Sequence, residues 1–369
     1  MHVYKDFDPP VLGGIERHVA LSCRYQRDWA AVSALTCSRA WRSQRIVRDG
    51  TPVAEVGEWF RLQGAPFSPA FPWRLRRTEA DVVVLHMPNP TAELAWLLAG
   101  HRSVLIARYH SDVIRQAGAM RLYNPFQQRF LQRVSLILPT SQPYLDTSPS
   151  LAPFREKCRV VPLGIVTEDF ATPPDAAIRE LHERYGATFV LFAGRHRYYK
   201  GLPFLIEAAR AMRAPLVVAG DGPERARAMD VAASLGVPVH FPGSLDRDDL
   251  VAHLHACSVF VFPSVARSEA FGMSIMEAHA CGKPVVATRL GTGVEFINED
   301  GKTGLNVPPR DPDALAAAVN RLLADPDARA AMGAYARDRI TRQFHARDIA
   351  RQEFEYYQEA VACQPHNRT

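Results

Sequence analysis

Between residues 259 and 288 the chain runs strand, loop, helix, turn, strand, and that order constrains what it can fold into more than any other feature. Val259-Phe260-Val261-Phe262-Pro263-Ser264 and Pro284-Val285-Val286-Ala287-Thr288 are nearly continuous apolar runs of strand length. Strands covered on both faces read this way, and two of them joined through a helix lie parallel. The connection, Glu269-Ala270-Phe271-Gly272-Met273-Ser274-Ile275-Met276-Glu277, sets two carboxylates around a Phe-Gly turn that opens a helix of small and apolar residues. A loop entering a helix N-terminus presents backbone N–H groups and a positive helix end, which suits a phosphate. Carboxylates on either side suit hydroxyl groups next to that phosphate. The stretch reads as a site for a sugar joined to a nucleotide through a diphosphate.

The same rhythm recurs along the chain. In the first half, His2-Val3-Tyr4 is a strand shorter than the usual ~5–6 residues, which suggests a start a few residues upstream. Val11-Leu12-Gly13-Gly14-Ile15-Glu16 then opens a helix, with Gly13 and Gly14 forming either a plain tight turn or a loop that lets backbone approach a ligand. Further strands are expected at 30–35, 81–86, 104–109 and 136–139. His86 and His110 stand at neighbouring strand ends, on the edge where open α/β sheets bind ligands, and read as either structural or ligand-facing. In the second half, strands end in Gly194-Arg195, in Gly220-Asp221-Gly222-Pro223 and in Phe241-Pro242-Gly243. Residues 166–187, rich in Pro and Asp, read as a less regular connection, and a final helix is expected near 346–362. Two doubly wound parallel sheets with a cleft between them follow from this pattern.

Bulk properties agree with a two-domain globular protein. The 369 residues include 47% hydrophobic and 22% charged side chains, and no apolar run approaches a bilayer-spanning length. The N-terminus lacks the segments of a signal peptide. None of the six cysteines forms a CxxC pair, which argues against a disulfide framework or zinc site and for a reducing cytoplasm. Residues 1–165 carry 21 Lys and Arg against 13 Asp and Glu, whereas the remainder carries 23 against 26. The basic first half is either a solvated arginine-rich surface or a face for an anionic membrane or phosphorylated acceptor. Residues 113–134, with Arg115, Arg121, Arg129 and Arg133 among apolar residues, are one candidate for that face. Nucleic acid is not expected, because no basic and aromatic recognition motif occurs.

Arg195 and Lys200 follow one strand end and would suit a diphosphate leaving group, unless they are salt-bridged surface residues. Glu269 and Glu277 resemble a glycosidase acid/base pair only superficially, since a phosphate-type turn separates them. If the helix begins near Gly272, Glu277 lies about one and a half turns inside it, placed to accept from ribose hydroxyls. Asp246 and Asp248 read as a helix cap and a first-turn acid rather than metal ligands. His253 and His255 point to opposite sides of their helix and cannot share a metal. No GxGxxG follows the first strand of either half, which argues against a nicotinamide dehydrogenase.

Gly13-Gly14-Ile15-Glu16, His110-Ser111-Asp112, Gly194-Arg195 with Lys200-Gly201, Gly220-Asp221-Gly222-Pro223 and the span from Glu269 to Glu277 occur in an order that resembles one family nearly end to end. The chain is similar to the retaining glycosyltransferases of family 4 (GT4), with the GT-B fold of two facing Rossmann-like domains, and to bacterial lipopolysaccharide and exopolysaccharide mannosyltransferases among them. The resemblance implies an acceptor-binding domain at 1–164, a nucleotide-sugar domain at 165–345, and a C-terminal helix at 346–369 that returns to the first domain. It implies that Gly13 and Gly14 approach the donor diphosphate and that His110 lies beside the donor sugar. Arg195 and Lys200 would stabilise the departing nucleoside diphosphate. Glu269 would bind sugar hydroxyls with the amides of Phe271, Gly272 and Met273, Glu277 would hold the ribose, and the base would lie near Phe241 and Gly243. No cofactor or divalent metal is expected. His196 departs from the aliphatic residue common at its position.

The donor expected from the resemblance is GDP-mannose, and the acceptor a lipid-diphosphate-linked saccharide, met by a cytoplasmic protein that touches the membrane peripherally. The alternatives are a UDP-hexose donor such as UDP-glucose, a UDP-sugar epimerase, and a non-catalytic nucleotide-sugar-binding partner in polysaccharide assembly.

Overall fold

Residues 1–11, 13–62, 64–112 and 117–363 are described by the computed structural model, with 117–122 described in backbone alone. Two units emerge: Met1–Gly164 together with the segment from Ala346 onward, and Ile165–His345.

The first unit begins with β1 (His2–Val3), α1 (Gly14–Gln26), β2 (Ala34–Ser38), β3 (Gln44–Arg48) and β4 (Thr51–Gly57). A hairpin of β5 (Phe60–Leu62) and β6 (Ala65–Phe67) and the short α2 (Phe71–Arg76) come next. Then follow β7 (Val82–Met87), α3 (Pro90–Ala99), β8 (Val104–Tyr109), α4 (Ala117–Arg133), β9 (Leu136–Pro139) and α5 (Gln142–Thr147). The sheet order is β3-β4-β2-β1-β7-β8-β9. Although β1 is only two residues long, it pairs on both sides, and the Met1 amino group extends it by donating to the Val82 carbonyl at 2.8 Å.

Three expectations need correction. The strand expected at 30–35 begins only at Ala34, because the turn after α1 continues through Trp29 and Ala30, whose amides return to the Gln26 carbonyl. The first sheet is not purely parallel: β3 pairs antiparallel with β4 at the edge, where one face is solvated and Gln44, Arg45 and Val47 are exposed. The stretch 166–187 is not irregular throughout, since α6 (Asp175–Tyr185) occupies its second half. Its prolines, Pro173 and Pro174, stop just before the first helical residue, and Leu181 and Tyr185 bury one face.

After α6 the second unit alternates regularly: β10 (Val190–Ala193), α7 (Leu202–Ala209), β11 (Leu216–Ala219), α8 (Arg225–Leu235), β12 (Val239–Gly243), α9 (Arg247–Ala256) and β13 (Val259–Phe262). It continues with α10 (Met273–Ala280), β14 (Val285–Thr288), α11 (Gly293–Ile297), β15 (Gly304–Val307), α12 (Pro312–Ala324) and α13 (Pro326–Gln343). The six strands, in the order β12-β11-β10-β13-β14-β15, are all parallel. Order reverses at β10 and β13, the switch point at which such sheets open a ligand crevice beyond their carboxyl ends. The core under this sheet is built from Val190, Phe192, Val218, Val259, Val261 and Val286 with the apolar faces of α7 and α12.

The last helix, α14 (Ala346–Ala362), packs with the first unit. Ile349 and Tyr357, two helical turns apart on one face, are buried with Val84, Ile106 and Leu138. Burial of each such side chain contributes ~1.5–3 kcal/mol. The same helix carries Glu353 into the protein interior.

Candidate functional site

Each unit places part of the expected site at the carboxyl edge of its own sheet. In the second unit, Lys200 and Glu269 meet. Lys200 lies between β10 and α7, and its ammonium is 2.6 Å from Glu269 Oε2. The side chains are 10% and 12% exposed, so this is no solvated surface pair. Lys200 also lies over the Phe262 ring at 4.6 Å and the Tyr199 ring at 5.6 Å, which adds cation–π attraction. Glu269 is oriented by the Ser264 hydroxyl, which donates to Oε2 at 3.0 Å, while Thr288 anchors Ser264 through its backbone carbonyl. Among the described residues Oε1 takes no hydrogen bond, so the carboxylate keeps an acceptor for a ligand. Ser264 was not foreseen as a site residue, although its position at the end of the apolar run of β13 marks the same edge.

Two glycines make this geometry. Gly201 has φ +70°, and a Cβ there would strike the Pro263 carbonyl, so only glycine lets the Lys200 loop lie against β13. Gly272 has φ +96° and stands at the N-cap of α10 without a side-chain cap. Ile275 and Met276 donate back to the Gly272 carbonyl, which leaves the Met273 and Ser274 amides at the head of the helix without intrahelical acceptors. Phe271 is buried, Met273 is half-buried, and Glu277 lies one turn further on α10, also half-buried. Arg195, directly beyond β10, is exposed. Gly243 has φ +86° and its carbonyl accepts from the Gly220 amide at 2.7 Å, while the Phe241 side chain packs onto the core under the sheet. His196, the departure noted in the sequence, is buried, and its backbone binds the Asp221 carbonyl at 2.8 Å.

In the first unit, Gly13 caps α1 in an extended conformation and Gly14 starts the helix, with Glu16 folded back over Gly13. His110 follows β8 and extends its ladder through a 3.1 Å bond to the Met87 carbonyl. It is buried within a group that sequence reading saw only in part. His110 Nε2 lies 3.0 Å from His86 Nδ1, and His86 Nε2 lies 3.0 Å from His2 Nδ1. His18 Nε2 is 2.9 Å from Glu353, whose Oε1 is also 2.7 Å from Arg108 Nε. Burial pushes the His110 and His86 imidazoles well below their ordinary pKa, and Arg108, His18 and the neighbouring histidines push the same way. Burial alone would raise Glu353, yet His18 and Arg108 hold it well below the usual carboxylate range. Sequence gave one hint of this group, the two strand-end histidines. Glu353 lies on an amphipathic helix where a charge would ordinarily face solvent.

His18, His86 and His110 also offer one ligand atom each within 4.8 Å. Arg108 Nε, 3.2 Å from His18 Nε2, and Glu353, 2.9 Å from the same nitrogen, place opposite charges beside these atoms. His253 and His255 bind the Asp249 and Phe170 carbonyls, and Asp246 caps α9. Of the arginine-bearing segment, Arg115 and the Arg121 side chain lie outside the described residues, and Arg129 and Arg133 are exposed on α4.

Comparison with known proteins gives the same two-part division. The family described as "Glycosyl transferase 4-like domain" matches residues 13–164, and "Glycosyl transferases group 1" matches residues 175–339. A D-rhamnosyltransferase of Pseudomonas aeruginosa is 36% identical over 94% of this chain and 92% of its own length. O-antigen chain mannosyltransferase C of Escherichia coli is 33% identical over 94% of each. Among solved structures, Anabaena HepE in complex with UDP-glucose superposes with a TM-score of 0.77 at 22% identity, covering 97% of this chain and 98% of that one.

Proposed function

Since the chain belongs to the group 1 and family 4-like glycosyltransferases and has their GT-B fold, we propose that it is a retaining, metal-independent hexosyltransferase that moves α-mannose from GDP-mannose onto a lipid-linked or surface polysaccharide acceptor. The observation that carries this reading is the enclosed Lys200–Glu269 pair beside the amide end of α10. An ammonium has three donors, so Lys200 can keep Glu269 while reaching a diphosphate oxygen. The free Oε1 of Glu269 accepts from a sugar hydroxyl. Arg195 and the Met273 and Ser274 amides add positive potential where charge grows as the anomeric carbon–phosphate bond breaks. The acceptor oxygen attacks the anomeric carbon on the departing face, and its proton passes to the leaving phosphate oxygen. Lys200, Arg195 and the helix end supply the positive charge that a divalent ion would otherwise provide. Gly13 and Gly14 approach the diphosphate, His110 the sugar, Glu277 the ribose, and backbone near Phe241 and Gly243 the base.

The relatives that transfer mannose and D-rhamnose support the sugar assignment, because these two share ring configuration and differ at the C6 hydroxyl. HepE, solved with UDP-glucose, supports a UDP-hexose as the second reading. We assign peripheral membrane contact to exposed aromatics between the end of β2 and α2, in preference to α4. Trp41 and Trp59 are each 72% exposed, Phe60 stacks on Phe67 at 4.8 Å, and arginines lie over Trp41 and Trp73. Exposed aromatics interleaved with arginine suit an anionic bilayer surface, where a lipid-linked acceptor resides.

The test is a panel of GDP- and UDP-hexoses with a lipid-diphosphate saccharide acceptor, the product anomer read by NMR and each reaction repeated with a chelator. The expected result is an α-linked product from GDP-mannose that survives chelation. Preference for a UDP-hexose overturns the donor, epimer formation without acceptor points to an epimerase, and donor binding without transfer from any nucleotide sugar points to the non-catalytic partner.

A further inference from the structure

A buried line of hydrogen bonds leads from α14 to His110, and its chemistry settles where each proton lies. The Gln26 side-chain nitrogen faces two groups that only accept, Glu353 Oε2 at 3.3 Å and the Ala350 carbonyl at 3.4 Å. Its amide therefore has one orientation, with the oxygen turned to His2 Nε2 at 2.9 Å. An amide oxygen cannot donate, so His2 carries its proton on Nε2. Burial brings the His2 pKa down to about 4, so the ring is neutral and its Nδ1 is a bare acceptor. His86 must then donate from Nε2 across the 3.0 Å contact. That leaves His86 Nδ1 bare, and His110 must donate to it from Nε2 across the next 3.0 Å contact. The line ends at His110 Nδ1, an unprotonated nitrogen that is buried and has no hydrogen-bond partner among the described residues.

A buried acceptor without a donor is unfavourable, and native interiors rarely leave one. Here it lies on the residue that extends β8 at the carboxyl edge of the sheet, where a ligand hydroxyl would supply the missing donor. Ser22, which donates to Glu353 Oε2 at 2.9 Å, and the Arg108 and His18 contacts to Oε1 fix the carboxylate that fixes the amide. The orientation of one glutamine is thus transmitted through two imidazoles.

We propose that Gln26, His2 and His86 are positioning residues that hold His110 as its Nε2–H tautomer, so that Nδ1 accepts a hydrogen bond from a hydroxyl of the sugar substrate. The substrate part rests on the proposed glycosyltransferase reading of His110; the tautomer does not. Without Gln26 the line can reverse, with His2 and His86 donating from Nδ1 and His110 carrying its proton on Nδ1. The ring would then present a proton where it should present a lone pair.

The experiment uses full-length protein labelled with 15N-histidine, with His110 assigned by its loss in His110→Ala, and long-range proton–nitrogen spectra near pH 7.5. The expected wild-type spectrum shows His110 protonated on Nε2 and bare on Nδ1. Gln26→Met, which keeps volume and removes the amide, should bring in a population with Nδ1 protonated, and His86→Phe should do the same by breaking the line. In transfer assays Gln26→Met should lower kcat by about tenfold, as loss of outer supporting groups does, with donor KM held within about twofold. A wild-type His110 protonated on Nδ1 overturns the proposal, as does a reversed tautomer with unchanged kcat. If neither variant folds, the wild-type spectrum still decides the tautomer. Failure of the glycosyltransferase reading shows separately, as wild-type protein that transfers from no nucleotide sugar.

Discussion

Each unit holds a carboxylate against a cation close to the carboxyl edge of its sheet, and the two pairs differ in how completely their atoms are used. Glu353 and Arg108 lie 2.7 Å apart with both side chains 0% exposed. Glu353 Oε2 accepts from Ser22 and Gln26, while Oε1 is enclosed against Arg108 and His18 at 2.7 and 2.9 Å without an aligned hydrogen bond. Arg108 spends its other donors on the Leu138 and Pro162 carbonyls. Glu269 and Lys200 are as close, at 2.6 Å, yet remain partly open, and one Glu269 oxygen is unclaimed among the described residues. A closed network fixes positions and tautomers, whereas an open pair has capacity left for a ligand. Similar residue pairs at similar distances are therefore left with different capacities for a ligand, and enclosure separates them.

The sharpest way to break that comparison is to delete each acid. Glu353→Ala leaves the Arg108 charge buried without its partner and should cost ~3–5 kcal/mol of stability in urea unfolding. Glu269→Ala strands a Lys200 that is enclosed but not fully buried, so it should cost less, ~1–3 kcal/mol, while lowering transfer by about 10²–10³-fold. If Glu269→Ala unfolds the protein as far as Glu353→Ala does, the two pairs are alike after all.

Acid sharpens the same contrast. His2, His18, His86 and His110 stay neutral in the folded first unit because burial lowers each pKa. The unfolded chain takes up these protons near pH 6.5, so their contribution is full above that pH and is lost as pH falls toward the folded values, about 4 for His2. Each such group removes ~1.4 kcal/mol per pH unit within its window. Glu353, also held low, adds a loss of the same sign below the usual carboxylate range, as its folded value is approached. Burial also lowers His196, His253, His255 and His279 in the second unit, but these are spread over the loop after β10, α9 and α10. Hydrogen exchange should therefore show the β1, β7 and β8 strands, where the rings adjoin, opening before the Lys200–Glu269 region between about pH 6.5 and 4.5. Simultaneous opening would remove the distinction.

The smallest effect belongs to the surface. Trp59→Ser with Phe60→Ser should weaken sedimentation with anionic vesicles by about tenfold. Arg129→Ser with Arg133→Ser should matter less, by at most ~1 kcal/mol per arginine. The opposite order would return the membrane face to α4.

Much of this architecture is legible in the chain because parallel strands buried on both faces leave continuous apolar runs. Those runs placed β7, β8, β10, β11 and β14 to within about a residue, and β13 to within two. Elements without such runs were harder to see. The solvated edge strand β3 and the hairpin β5–β6 carry mixed residues, and α6 lay behind prolines that marked only its start. At the site, the Glu269–Gly272 turn and the Lys200-Gly201 dipeptide stood out because local chain geometry demands them. Ser264 did not, since a serine ending a strand is common and only its 3.0 Å bond to Glu269 gives it meaning.

By itself the sequence determined the strand–turn–helix alternation, the positions of the glycine turns and the residue types offered at each strand end, because these follow from local sterics and hydrophobic periodicity. Only the tertiary structure decided that the two carboxylates around the Phe-Gly turn have unequal surroundings, with Glu269 taken up by Lys200 and Ser264. It alone decided that Glu353, 331 residues from Ser22 in sequence, completes a buried network with His2, His18, His86 and Arg108. Such pairings depend on which surfaces packing brings together, and no local pattern encodes the direction in which a buried glutamine turns its amide.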